Sequence, residues 1–200
     1  VPVEVVQKKK AVTFETDEHP RTDTTADVLS GLKPAFTKDG TVTAGNASGV
    51  NDGAAAVVLM SGEAARKRGI SPMGRILSTA SVGAEPAVMG LSPAFAIPRA
   101  LERAGVGSSD IDYFEINEAF AAQFIGVERV LESEYGITLD REMINRNGSG
   151  ISLGHPVGCT GLRIVVSLVY EMKRSDCSCG CASLCAGGGP GMAAVIQNVL

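Results

Sequence analysis

The 200 residues carry a formal net charge of −4, with 44% hydrophobic and 20% charged side chains, enough apolar mass for a core in one domain or one and a half. The mild acidity and the absence of a long basic block count against a nucleic-acid surface, and no apolar run nears the roughly 20 residues that a bilayer crossing takes. Aromatics make up 4% and glycine contributes 24 residues, so small side chains carry much of the packing and close backbone approaches are expected.

The opening alternation "VEVVQKKKAVTFETDEHPR" predicts exposed β structure, and "DTTADVLSGLKPAF" offers one short helix. The chain starts on strand-like residues without an initiator Met, so an N-terminal part is expected to precede it; no stretch reads as a secretory signal. In "TVTAGNASGVNDGAAAVVLMS", Gly45, Gly49 and Gly53 punctuate a loop, and "AAAVVLM" is expected to form a short buried strand. "GEAARKRG" reads as a polar helix stopped at Gly69.

From Met73 onward the pattern is regular. "GRILSTASVG" reads as a strand, then "SPAFAIPRALERAG" as a helix with Ser92 as N-cap, Pro93 at its first position and Gly105 at its end. "DIDYFEIN" is a strand. "EAFAAQFIGVERVLESEYG" is a long helix whose apolar positions Phe120, Phe124, Val127 and Leu131 fall three or four apart. "REMINRNGSGISLG" holds a short extended piece. "TGLRIVVSLVYEMKR" is a buried helix with cations in its last turn. "CGCASLCA" and "GMAAVIQNVL" are two strands joined by "GGGPG", a hairpin. The fold class is therefore α/β, in the order β-α-β-α-β-α-β-β, with helices packed on both faces of a mainly parallel, mixed sheet.

All five cysteines lie between Cys159 and Cys185. An odd, clustered set does not make a secreted disulfide scaffold; it fits a reducing, cytoplasmic setting. Cys177, Cys179, Cys181 and Cys185 would share one face of a strand, neighbours two apart lying about 6.6 Å from one another. A tetrahedral zinc site needs sulfurs about 4 Å apart, so no metal is expected, unless residues 177–180 form a loop. Cys177 and Cys179 read as incidental.

Chemistry concentrates in three loops that follow strands: "NEAF" with Asn117, "GHP" with His155, and "CAGGG" with Cys185. The C-terminal ends of neighbouring parallel strands converge on one sheet edge. A thiol near an imidazole gains thiolate character, and bare glycine N–H groups there can face an oxyanion. On residue types alone these side chains also fit a cysteine-hydrolase triad, or a buried thiol acting as a small hydrophobe beside a structural histidine. A fourth segment, "AGNASGVNDG", could approach a phosphate or pantetheine-like ligand with its backbone, or be only a tight connection.

The blocks "GNASGVNDGAA", "NEAFAAQ", "NGSGISLGHPVGCTGLRI" and "CAGGGPGMA", in this order, resemble the thiolase family of acyl-CoA C-acyltransferases along nearly the whole chain. The resemblance implies one half of a five-layered αβαβα core. Residues 1–72 would be the end of the loop domain and the last piece of the N-terminal half, and residues 73–200 the C-terminal thiolase domain. It assigns His155 to activate a nucleophilic cysteine and stabilise a thioester oxyanion. It assigns Asn117 to hold a water in that oxyanion hole, Cys185 to act as the acid/base, and the N–H of Gly187 to serve a second oxyanion hole. Ser48 would contact the pantetheine of coenzyme A (CoA), Arg21 its adenine-phosphate end, and Ala119 and Phe120 would line the pantetheine tunnel. CoA and acyl-CoA are implied as substrates, with no resident cofactor.

Three departures stand out. The family's nucleophilic cysteine belongs to the N-terminal half, and none of the five cysteines here sits in its motif, so the chain alone is expected to be inactive. The Cys-rich "SDCSCGC" is unusual for the family, and Arg146 stands where a small apolar residue is commoner. The implied partners are an acyl-CoA, an N-terminal thiolase half, and further copies in a homo-oligomer once complete. The alternative is a non-catalytic CoA-binding or assembly half of a split thiolase.

Overall fold

The structure, a computed structural model, describes residues 1–199. They separate into two compact units, Val1–Gly31 and the described residues from Leu32 onward. The first holds the antiparallel pair β1 (Val3–Gln7) and β2 (Lys10–Phe14) and the short helix α1 (Ala26–Ser30), started by the Thr25 hydroxyl, which accepts from the N–H of Val28. Two lysines, Lys8 and Lys9, make the hairpin turn with φ of 48° and 68°. That conformation usually falls to Asn or Gly.

The second unit starts irregularly. Residues 54–60, where a strand was expected, form no ladder, and Val58 and Leu59 are exposed. An apolar run becomes a strand only when a neighbouring strand takes up its N–H and C=O groups, and among the described residues none does. Helix α2 (Gly62–Arg68) follows, capped by the Ser61 side chain and ended by Gly69 at φ 64°.

A four-stranded sheet comes next, made of β3 (Arg75–Gly83), β4 (Tyr113–Ile116), β5 (Cys179–Cys185) and β6 (Pro190–Gln197), in the spatial order β3-β6-β5-β4. Only β4 and β5 pair in parallel; β6 runs antiparallel to both β5 and β3. The sheet is thus less parallel in its pairing than expected. The reason is the final hairpin, which folds β6 back between β5 and β3. The strands β3, β4 and β5 still share one direction, so their C-terminal ends meet on one edge. The expected extended piece in "REMINRNG" reduces to a bridge between Ile144 and Phe114.

Helices cover both faces. On one, α3 (Ser92–Ala104) and α4 (Ala121–Tyr135) bury Ile97, Leu101, Phe124, Val127 and Leu131 against Phe114, Cys181 and Val195. On the other, Ile164, Leu168 and Met172 of α6 (Thr160–Arg174) pack on Tyr113, Ala182 and Ile196. A fully buried Leu or Ile contributes about 1.5–3 kcal/mol, so these stripes hold the layers together. A one-turn helix, α5 (Gly150–Leu153), precedes α6. Phe120 lies outside the buried stripe of α4, as its N-terminal cap residue.

Two expectations need correction. Ser92 is not an N-cap: it is the first residue of α3, fully buried, and its hydroxyl donates to Pro190 O at 3.0 Å. Cys177 does not share the face of Cys179 and Cys181, because β5 starts only at Cys179 and Cys177 packs in the cluster under α6. Leu200, the last residue of the expected final strand, lies outside the described residues.

The start of α3 presses on β6 where a Cβ on Gly191 would stand 2.6 Å from Ser92 O and 2.7 Å from Ser92 C. Backbone cannot yield as a side-chain tip can. Gly191→Ala is expected to cost about 1–3 kcal/mol or more in urea unfolding, whereas Gly158→Ala, with nothing within 4 Å of its Cβ position, leaves the midpoint unchanged.

Candidate active site

The edge where β4 and β5 end is built from backbone outward. Their register pairs Ile116 with Ser183, and the N–H of Asn117 extends the ladder by donating to Ser183 O at 3.0 Å. Asn117 therefore sits beside Leu184, one residue before Cys185. Its side chain is fully buried, and neither the amide oxygen nor the amide nitrogen meets a partner. An unmatched buried amide costs about 1–3 kcal/mol. Such a group marks a place for water or ligand.

The "NRNGSG" segment holds this strand end. The Asn145 side chain copies a neighbouring strand, its Oδ1 accepting from the N–H of Ile116 at 2.9 Å and its Nδ2 donating to Ile116 O at 2.8 Å. Ser149 Oγ accepts from the N–H of Glu118 at 3.2 Å. Gly150 lies so close that a Cβ there would be 2.7 Å from Glu118 O and 2.9 Å from Asn117 Oδ1.

The loop of residues 44–53 straps two of the expected loops together. Ala47 bridges Phe120, and the N–H of Ser48 donates to Ala119 O at 2.8 Å. The N–H of Ala121, one of the unpaired donors at the start of α4, donates to Asn46 O at 2.9 Å. Farther along, Val50 bridges His155, and Asn51 Oδ1 accepts from the N–H of His155 at 3.0 Å. Asn51 also fills the space beside Gly154, whose φ of 96° and missing Cβ admit it. Ser48, Ala119, Phe120 and His155 are thus fastened by one strap, with Phe36 stacked edge-on to Phe120 at 5.7 Å. A cleft of about 380 Å³ runs beside it, lined among others by Asn51, Gly53, Pro156 and Cys159.

His155 is half-buried. Its Nδ1 is 2.7 Å from Thr160 Oγ1, and that hydroxyl donates in turn to Pro156 O at 3.1 Å. With its own proton committed, Thr160 can only accept, so the imidazole proton lies on Nδ1 and Nε2 keeps a free lone pair. Burial, aided by the charge of Arg163, pushes the His155 pKa below its ordinary 6.5, so the ring is neutral at pH 7.

Cys185 closes β5, buried, and burial raises its thiol pKa. Cys181, two residues back and fully buried in the α3–α4 layer, is pushed up to about 12, which makes it packing material. After Cys185 a turn closes with the N–H of Gly189 on Ala186 O at 3.2 Å. Gly188 and Gly189 have φ of 93° and 113°, and a Cβ on Gly189 would strike Ala84 O at 2.2 Å. Among the described residues no acceptor meets the N–H groups of Gly187 and Gly188. Arg21 is exposed and belongs to the first unit; it is not among the residues that the strap brings together.

The family model described as "Thiolase, C-terminal domain" matches residues 70–198, and "Thiolase, N-terminal domain" matches residues 1–63. The chain belongs to the thiolase family. It is 50% identical to the acetyl-CoA acetyltransferase of Escherichia coli K12 over 199 residues, covering 100% of this chain and 49% of that protein. The crystal structure of the Bacillus anthracis acetyl-CoA acetyltransferase superposes with a TM-score of 0.90 at 53% identity, and that of human mitochondrial 3-ketoacyl-CoA thiolase with 0.88 at 45%. Each comparison covers 100% of this chain and 49% or 48% of the other. The chain thus spans about half the length of the thiolases it matches.

Sequence reasoning missed Asn51, Thr160, Asn145 and Ser149, which orient the expected residues without taking part in the motifs' chemistry. For Asn145 and Ser149 the signal was present in the block "NRNGSG", rich in short polar side chains that bond backbone. Arg146, the unusual residue of that block, is absorbed locally. It donates to Glu142 O at 2.6 Å and to Ser175 Oγ at 3.1 Å, and lies over the Tyr113 ring at 5.7 Å.

The histidine geometry makes a direct prediction. Nitrogen-15 NMR should find His155 neutral at pH 7 with its proton on Nδ1, and Thr160→Val should shift the neutral ring toward Nε2–H. The lowered pKa means that the unfolded chain binds more protons below about 6.5, so His155 contributes a loss of stability as pH falls through that value. A titration midpoint above 6.5 would contradict the assignment.

Proposed function

We propose that the chain is the acid/base and oxyanion-binding half of a thiolase, which condenses two acetyl-CoA or cleaves a 3-ketoacyl-CoA by thiolysis. Residues 1–72 would serve as loop-domain and N-half remnants and 73–200 as the C-terminal domain. The observation that supports this reading best is the buried Asn117 amide, unpartnered beside the strand end that carries Cys185. The strap on the "NEAF" loop reaches a neutral His155 with a free Nε2.

The roles follow from these environments. Asn117 Nδ2, directly or through a water, offers a hydrogen bond where a thioester oxygen gains charge, and His155 Nε2 offers another once it has taken the proton of the nucleophilic thiol. A water-poor setting raises the pKa of Cys185, so the thiol holds its proton for delivery to the α-carbon in thiolysis. In condensation its thiolate, once formed, is a stronger base for the reverse transfer. The N–H of Gly187 faces a second oxyanion. Ser48, Ala119 and Phe120 would line the pantetheine path and Arg21 would hold the adenine-phosphate end of CoA, which enters as substrate. No resident cofactor or metal is proposed, and the setting is cytoplasmic.

The nucleophilic thiol would come from an N-terminal thiolase half. Val50, Val58 and Leu59 are 93%, 84% and 72% exposed, and residues 51–60 leave their backbone groups outside any ladder. Such an apolar, strand-prone stretch is a surface awaiting cover. It also favours the second reading, an assembly half that binds CoA without catalysis.

Mixing experiments separate these readings. The chain alone with acetoacetyl-CoA and CoA is expected to release no acetyl-CoA, because covalent catalysis lacks its nucleophile. Adding a separately purified N-terminal half of the Escherichia coli relative should restore thiolysis, and Cys185→Ala in the mixture should lower kcat about 10²–10⁴-fold, the usual contribution of acid/base catalysis. Activity of the chain by itself would sink the first statement. A mixture that assembles and binds CoA but stays inactive would favour the assembly reading.

A further inference from the structure

Among the described residues, five buried side-chain polar atoms lack a partner, and four of them belong to three side chains: Glu115 Oε2, Asn117 Oδ1 and Nδ2, and Arg163 Nη2. They are not scattered. Glu115 and Asn117 stand two positions apart on β4 and its continuation, about 6.6 Å along the strand. They share the face on which Tyr113 packs against α6, while Phe114 and Ile116 face the opposite layer. From α6, Arg163 Nη1 approaches Glu115 Oε2 at 3.7 Å, and the same guanidinium acts electrostatically on His155. Glu115 is fully buried, and its other oxygen accepts from the Tyr113 hydroxyl at 3.1 Å.

A separation of 3.7 Å is an ion pair with room left over, and a buried polar gap of this kind holds ordered water. The donor count then decides an orientation. A water accepting from Arg163 Nη2 and donating to Glu115 Oε2 has one O–H left, and Asn117 Oδ1 is the acceptor for it. The amide nitrogen of Asn117 then points the other way. The flipped amide would leave a buried water O–H unmatched, which is the costlier error.

We propose that Glu115 and Arg163 are a positioning pair: with water held among their unpartnered atoms and the Asn117 amide, they fix the direction in which Asn117 presents its N–H and tie β4 to the helix that follows His155. This inference rests on the thiolase reading only for the purpose that the N–H serves. The groups that act on Glu115 are Tyr113 and Glu118 from its own segment, and Arg163 and Glu171 from α6. Burial raises its pKa to about 7, Tyr113 and Arg163 oppose the rise, and Glu171 and Glu118 add to it. Glu171 is itself held ionised: burial pushes it up, but hydrogen bonds from Asn147 and Ser175 and the charges of Arg174 and Arg146 bring it below its ordinary value. Neutral Glu115 would no longer be a pure acceptor, and the Asn117 orientation would loosen.

The test uses the 200-residue chain and does not depend on turnover. A high-resolution crystal structure is expected to show water within hydrogen-bond distance of Glu115, Arg163 and Asn117; a dry gap overturns the proposal. Proton NMR reads the coupling. Burial raises Glu115 to about 7, so the comparison is made at pH 8, where its carboxyl is ionised and Glu115→Gln should move the Asn117 side-chain amide resonances. Arg163→Met should move them too and should raise the His155 titration midpoint, which the guanidinium helps to lower. A folded Glu115→Gln variant with unmoved Asn117 signals at pH 8 refutes the pair, and this near-isosteric change decides the matter if Arg163→Met does not fold. Calorimetric CoA binding by the unaltered chain tests the thiolase reading separately.

Discussion

The parallel register of β4 on β5 is the constraint on which the rest of this molecule depends. Ile116 opposite Ser183, extended by the Asn117 N–H on Ser183 O, sets a buried amide beside the strand that ends in Cys185. Everything nearby is arranged to hold that strand end. Asn145 completes the ladder with a side chain, Ser149 ties the next N–H, and Gly150 gives up its Cβ to let the segment approach. Strand ends are natural sites because backbone groups run out of partners there. Here the polar side chains that complete them also fix where the reactive ones stand.

The final hairpin has a complementary role. It sends β6 between β5 and β3, so the "GGG" turn lies on the same edge as the ends of β3 and β4. Gly189 fits against Ala84 O only without a Cβ, which anchors the turn to the end of β3. Among the described residues the two preceding N–H groups meet no acceptor. A turn free to shift could not present donors at a fixed point, so packing at Gly189 does the positioning for Gly187.

Much of this was legible in the sequence. Helix ends announced themselves through Gly69 and Gly105, and the buried stripe of α4 through the spacing of Phe124, Val127 and Leu131. The segments with Asn117 and Cys185 were legible as strand ends, whereas the "GHP" segment, expected to follow a strand, follows the one-turn α5. What stayed hidden depends on partners distant in the chain. Ser92 looks like a cap until β6 supplies Pro190 O, 98 residues away. The apolar run at 54–60 looks like a strand, but strand formation is a property of two segments and not of one. Asn51 on His155 is a contact across 104 residues, beyond the reach of any local pattern.

The electrostatics of the site follow from the same layering. β4 alternates apolar side chains toward α3 and α4 with Tyr113, Glu115 and Asn117 toward α6. An apolar alternation on both faces would pack more tightly, and a buried ion pair seldom stabilises more than the hydrophobic residues that could replace it. A fully buried carboxylate next to a guanidinium is therefore poorly explained as a stabilising device. It makes sense as a means of keeping a polar seam beneath the site. Burial, aided by the charge of Arg163, keeps the imidazole of His155 neutral. The seam thus reaches His155 through Arg163, the smaller of the two causes after burial.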